Sequence, residues 1–198
     1  MKRRAEWLAV VIIVLLAGCA GMEPATDSRR VPERVALVTL PLDGADRERL
    51  AQVQRELADG NPEAAGQQLA SVEADHRFNP EVLMLRAMVA RHNKEPRRAI
   101  RALERLLQQS PDEAAAANDL ALLYRQKGRI EEAAGLLRAA LEANAGNPRL
   151  HYNLAVLSEL YLLDLEQALA HYRRYQALTE TKDEEVGLWI RDLERRVE

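Results

Sequence analysis

Along this chain the apolar positions change rhythm twice. Trp7 to Ala17 is an almost unbroken apolar run behind a basic start, Lys2-Arg3-Arg4. Between Ala20 and Asp43 no helical spacing survives, because Pro24, Pro32 and Pro41 interrupt any helix and Asp27-Ser28-Arg29-Arg30 seeks solvent. Beyond that stretch, small and apolar residues recur in phase. Ala65, Ala99 and Ala133 lie 34 residues apart, and each is followed four positions later by a leucine, Leu69, Leu103 or Leu137. A fourth pair, Ala168 with Tyr172, comes after 35 residues, and Val53, Ala87, Ala121 and Ala155 repeat at 34 upstream. A period of this length predicts stacked helical units. Two antiparallel helices of about 13 residues and two turns fill it; the small residues let helices cross closely, and the leucine or tyrosine one turn on fills the space between neighbours.

The third copy carries the fullest pattern: Leu120-Ala121-x2-Tyr124, Gly128 at the turn, Ala133-x3-Leu137, then Ala140. These positions resemble the tetratricopeptide repeat. The other copies depart from it: Pro111 holds the closing position of the second, Ala145 that of the third, and the first has Val53 with no tyrosine. The resemblance implies an all-α fold, an α-solenoid of about four helical hairpins over 46–79, 80–113, 114–147 and 148–182. Val186, Trp189, Ile190, Leu193 and Val197, at spacings of three and four, predict a capping helix in 183–198 that hides the open end of the stack. Trp189 either belongs to that cap or anchors a partner. Where the first three copies turn at Gly60, Lys94 and Gly128, the fourth has the run Leu160-Tyr161-Leu162-Leu163-Asp164-Leu165 and one additional residue. The expectation is that the cap covers this run, with Tyr161 and Leu162 as an alternative partner surface.

The first apolar run, residues 1–18, has the layout of a secretory signal peptide and is shorter than the roughly 20 residues of a membrane span. It ends in Leu16-Ala17-Gly18-Cys19, which resembles the lipobox of bacterial lipoproteins and holds the single cysteine of the chain. The alternative is an incidental cysteine. The resemblance implies a covalent lipid on Cys19, a membrane anchor, and residues 19–45 as a lipidated tether. A flexible chain of about 25 residues spans roughly 28 Å. Within it, Val35-Ala36-Leu37-Val38-Thr39-Leu40 is either disordered or a short extended segment docked on the body. By resemblance to the lipoprotein sorting rule, Ala20 after the cysteine implies the bacterial outer membrane, facing the periplasm.

Composition narrows the rest. Losing residues 1–18 removes Lys2, Arg3, Arg4 and Glu6, which moves the net charge from −3 to −5. A mildly acidic chain offers no electrostatic reason to bind nucleic acid. Apolar content of 47 % with 4 % aromatics is a helical composition. His76, His92, His151 and His171 form no i, i+4 pair and no H-E-x-x-H, so they read as surface or partly packed residues and not as a metal site. No nucleophile elbow, phosphate loop or dinucleotide fingerprint occurs. Glu131-Glu132 and Glu184-Glu185 read as helix starts, where negative charge suits the dipole. The reading is a non-enzyme without cofactors other than the lipid.

In tetratricopeptide repeats the first helices of successive hairpins line a peptide-binding groove. Carried onto this chain, its lining is Met84, Met88 and Arg91; Asn118, Leu122 and Arg125; and Tyr152, Val156 and Glu159. Adaptable methionines, aliphatics and two arginines suit an amphipathic segment; the alternative is a solvated face without a ligand. The carboxylate clamp of chaperone-binding members is not reproduced. Lipobox and repeats together resemble the lipoproteins that assist type IV or Flp/Tad pilus assembly, which implies a scaffold for a protein or peptide partner in an envelope machine of the pilus, secretin or motility type. The alternatives are an adaptor recruiting peptidoglycan enzymes and an accessory to a TonB-like energy-coupling system. Oligomeric state is not legible.

Overall fold

The computed structural model describes residues 40–198. The expectations for Cys19, the signal peptide, most of the tether and Val35 to Thr39 lie outside the described residues. Among the described residues nine helices form four antiparallel hairpins and a last single helix. The hairpins are α1 (Gly44–Ala58) with α2 (Pro62–His76), α3 (Pro80–His92) with α4 (Pro96–Gln109), α5 (Ala114–Gln126) with α6 (Ile130–Ala143), and α7 (Pro148–Leu157) with α8 (Leu165–Leu178); α9 (Glu184–Val197) follows. None is long and apolar enough to cross a membrane.

Local chemistry sets these boundaries. Pro62, Pro80, Pro96 and Pro148 each open a helix, where the missing N–H costs nothing and φ is already helical. Asn79 and Asn147 cap α3 and α7 by accepting from backbone N–H groups two and three residues on. Asp43, Asp164 and Asp183 do the same for α1, α8 and α9. At the inter-helix turns Gly60 and Gly128 take φ of 78° and 72°, the left-handed conformation that ends a helix.

The recurring small residues sit where the helices cross. Ala65, Ala99, Ala133 and Ala168 are fully buried, and Leu69, Leu103, Leu137 and Tyr172 are sealed beside them. Val53, Ala87, Ala121 and Ala155 close the opposite side of each crossing. Three clusters run along the array: one joins α1, α2 and α3, a central one runs from α3 to α7, and the third joins α7, α8 and α9. Trp189 belongs to the third cluster, with its ring 5.5 Å from Tyr172 and 6.4 Å from Tyr152.

The extra residue of the fourth copy is absorbed by the backbone. After α7 the chain continues as a π turn (Ser158–Leu162), and Leu163, with φ of 56°, then takes the left-handed position held by Gly60, Lys94 and Gly128 in the other hairpins. One wide turn takes in one residue and restores the phase. The expectation that the cap covers this run fails for most of it: Leu165 alone joins the cluster that α9 closes. Leu160, Tyr161 and Leu163 are 61 %, 49 % and 75 % exposed, and only Leu162 packs against the central core. The reason is rotation: the π turn spreads successive side chains around its axis, so one points inward and its neighbours outward.

Candidate functional site

The first helices of the hairpins pack in pairs, α1 on α3 and α5 on α7. Between α3 and α5 the link is polar: Arg91 Nη1 donates to Asp119 Oδ2 at 3.0 Å. Between α5 and α7 the Asn153 amide donates to Asn118 Oδ1. Asp119 and Asn153 share one phase of the repeat, 34 residues apart, one position beyond Asn118 and Tyr152. Sequence reasoning missed both, although that phase was the available signal.

The nine residues predicted for the groove divide into three groups. Met84, Met88, Leu122 and Arg125 are partly exposed and Arg91 is exposed, so this part of the face is open. Leu122, Arg125 and Asn153 border a shallow crevice between α5 and α7. Asn118 is a different case. It is 2 % exposed, its amide is spent on Asn153 and Asp119, and it lies beneath the face as a satisfied polar strut. The third group lies under the C-terminal helix. Tyr152 packs among Tyr172, Tyr175 and Trp189, and Val156 joins the same cluster. The Glu159 carboxylate accepts from Tyr172 Oη at 3.0 Å and lies 3.8 Å from Arg196 of α9. Burial pushes the Tyr172 hydroxyl far up and the Glu159 carboxylate adds to it, so this phenol stays a donor. Burial first, then Asp183 and Glu185, also raises Tyr152.

Two of the four histidines are more buried than expected. His76, 8 % exposed, faces Asp46 Oδ2 and the Leu40 carbonyl oxygen at 3.0 and 3.2 Å and ties α2 to α1 and to the segment before it. His151, also 8 % exposed, pairs with His171 across the last hairpin, Nδ1 to Nδ1 at 2.9 Å. The other nitrogen of His151 lies 3.1 Å from the Ala145 carbonyl oxygen, which can only accept. Nε2 therefore carries the His151 proton, Nδ1 is its acceptor, and His171 donates. Among the described residues no group of three or more His, Cys, Asp or Glu side chains is placed to hold a metal.

A family model described as tetratricopeptide repeat matches residues 93–148. An uncharacterized protein of Sinorhizobium fredii, y4yS, is 30 % identical over 148 residues, which cover 74 % of this chain and 78 % of that protein. Among solved structures, MamA of Desulfovibrio magneticus, from its residue 41 onward, superposes with a TM-score of 0.66 at 17 % identity, over 79 % of this chain and 87 % of its own. PilF of Pseudomonas aeruginosa gives 0.68 at 21 % identity, over 77 % and 68 %. At such identities the likeness is one of fold.

Proposed function

This chain belongs to the tetratricopeptide repeat proteins, a family of typically non-catalytic scaffolds that bind protein partners, and we propose that it is a lipid-anchored scaffold at the periplasmic face of the bacterial outer membrane, holding a segment of a partner during assembly of an envelope machine of the pilus or secretin type. The anchor rests on Leu16-Ala17-Gly18-Cys19. The working surface is the open part of the first-helix face, Met84, Met88, Arg91, Leu122 and Arg125. The observation that carries it is what touches that face: Tyr152, Val156 and Glu159 on α7, half-buried, meet α9, while the half-exposed positions on α3 and α5 have no contact with it among the described residues. Flexible methionines and aliphatics with cationic edges suit the apolar side of an amphipathic segment.

Crosslinking and pull-down from envelope membranes tests the proposal, comparing the native chain with Met88→Glu/Leu122→Glu. Loss of the partners from the variant, with its far-ultraviolet circular dichroism unchanged, is the expected result. Retention of every partner would move the working surface away from α3 and α5. Normal pilus and secretin assembly in a deletion strain would refute the choice of machine. Cys19→Ala should release the protein from the membrane fraction.

A further inference from the structure

We propose a second binding site, independent of the first-helix face and of the anchor: the cleft between α2 and α4, which takes an acidic helix of a partner protein. The cleft has a volume of about 780 Å³, with α3 crossing beneath it. Its floor is closed by Leu69, Val89, Ala90 and Ala102, each 8 % exposed or less, so the surface it offers a ligand is mostly polar. Its rim is cationic, with Arg86 from α3 and Arg98, Arg101 and Arg105 from α4.

The carboxylates at this rim are already engaged. Glu73 holds Arg86, Glu95 holds Arg98, and Glu104 accepts from Tyr124 Oη at 2.8 Å. Among the described residues Arg101 has no carboxylate partner, and Arg105 donates only to Gln108 while standing 5.0 Å over the Phe78 ring. In a chain of net charge −3, α4 carries four arginines against one glutamate. The cleft therefore holds guanidinium groups whose forks are free for carboxylates.

The spacing selects the occupant. Arg101 and Arg105, the two without a carboxylate, stand four residues apart on one side of α4, about 6 Å along the helix at 1.5 Å per residue. A partner helix with carboxylates at the same interval places them opposite these arginines while its body lies along the cleft. A flat anionic membrane reaches the rim but does not enter the concavity, so the geometry favours a rod over a sheet.

The test uses the full chain in detergent and a fluorescent synthetic alanine-rich helix with glutamates at four-residue intervals. Fluorescence anisotropy should show saturable binding that weakens as salt rises. Replacing the glutamates by glutamines, or using Arg101→Glu or Arg101→Glu/Arg105→Glu protein, should weaken it about tenfold or more. Met88→Glu/Leu122→Glu should bind the peptide as the native chain does, which separates this site from the first-helix face. Arg101 is exposed, so its single variant folds, and circular dichroism checks the double one. Absence of binding to the native chain, equal binding of the glutamine peptide, unchanged affinity in the arginine variants, loss confined to the methionine and leucine variant, or binding only to anionic vesicles would each overturn the proposal.

Discussion

Replacing His171 by glutamine should flatten the acid side of the stability profile of this protein. In the native pair His171 Nδ1 donates to His151 Nδ1, whose lone pair is available only while Nε2 holds the other proton against Ala145. A second proton on His171 goes to its Nε2 and leaves that hydrogen bond in place, but it puts a charge into a half-buried site beside Arg138. Burial first, then His151 and Arg138, push His171 down from 6.5 to about 4, against a smaller opposing pull from Asp164. The folded-state value lies below the unfolded one, so the unfolded chain binds more protons between them and stability falls as the solution is acidified. The contribution is fully present above about pH 6.5 and is lost as the pH drops toward about 4.

The magnitude follows from the size of that fall. At about 1.4 kcal/mol for each tenfold change in proton affinity, the ceiling is about 3 kcal/mol. His171 is only partly buried and solvent screens its charge, which brings the expected effect to the order of 1–2 kcal/mol. Urea denaturation of native and His171→Gln protein at about pH 7.5 and about pH 4.5 measures it, because glutamine retains a donor and does not titrate. The native chain should lose on the order of 1–2 kcal/mol more than the variant over that interval. Equal losses would refute the assignment of the acid sensitivity to this pair, since every exposed carboxylate is common to both proteins.

Two further substitutions probe the repeat itself. Leu163→Gly should stabilise the fold by about 0.5–1 kcal/mol in urea melts, because left-handed backbone costs a leucine about 1–2 kcal/mol and the freedom of glycine gives back only part of that; at 75 % exposure little packing is lost, and a destabilised variant would show that Leu163 is held by contacts. Leu137→Ala, at a fully buried position of the central cluster, should cost about 2–5 kcal/mol by the same assay, and a cost below about 1 kcal/mol would mean that the hairpins close over the cavity.

Positions fixed by steric need were the legible ones. Ala99 or Ala133 at a helix crossing admits little else, so the spacing of alanines carried the helix pairs and their order. The fate of the extra residue in the fourth copy was not legible. A π turn and a longer loop both take one residue, and an apolar run does not say which of its members turns inward. Asn118 illustrates a second limit. It shares the phase of Met84 and Tyr152, yet its amide finds partners in Asn153 and Asp119, and these satisfy it beneath the face. The His151–His171 pair spans 20 residues and two helices, beyond any local spacing rule.

The two surfaces divide the chemistry between them. On the first-helix face Arg91 already holds Asp119 and the asparagines hold each other, so an acidic ligand arriving there must displace an existing ion pair and gains little net charge attraction. What that face offers in surplus is the apolar surface of Met84, Met88 and Leu122, edged by Arg125. In the cleft between α2 and α4 the balance is reversed, because the local carboxylates are spent and Arg101 is free of them. Exposed charges are screened within about 10 Å at 0.1 M salt, whereas apolar burial is not. Binding at the first-helix face should therefore be nearly indifferent to salt while binding in the cleft falls with it. A partner carrying both an apolar and an acidic segment would engage this chain at two sites whose salt responses differ, and a salt titration of the whole complex would then break in two steps.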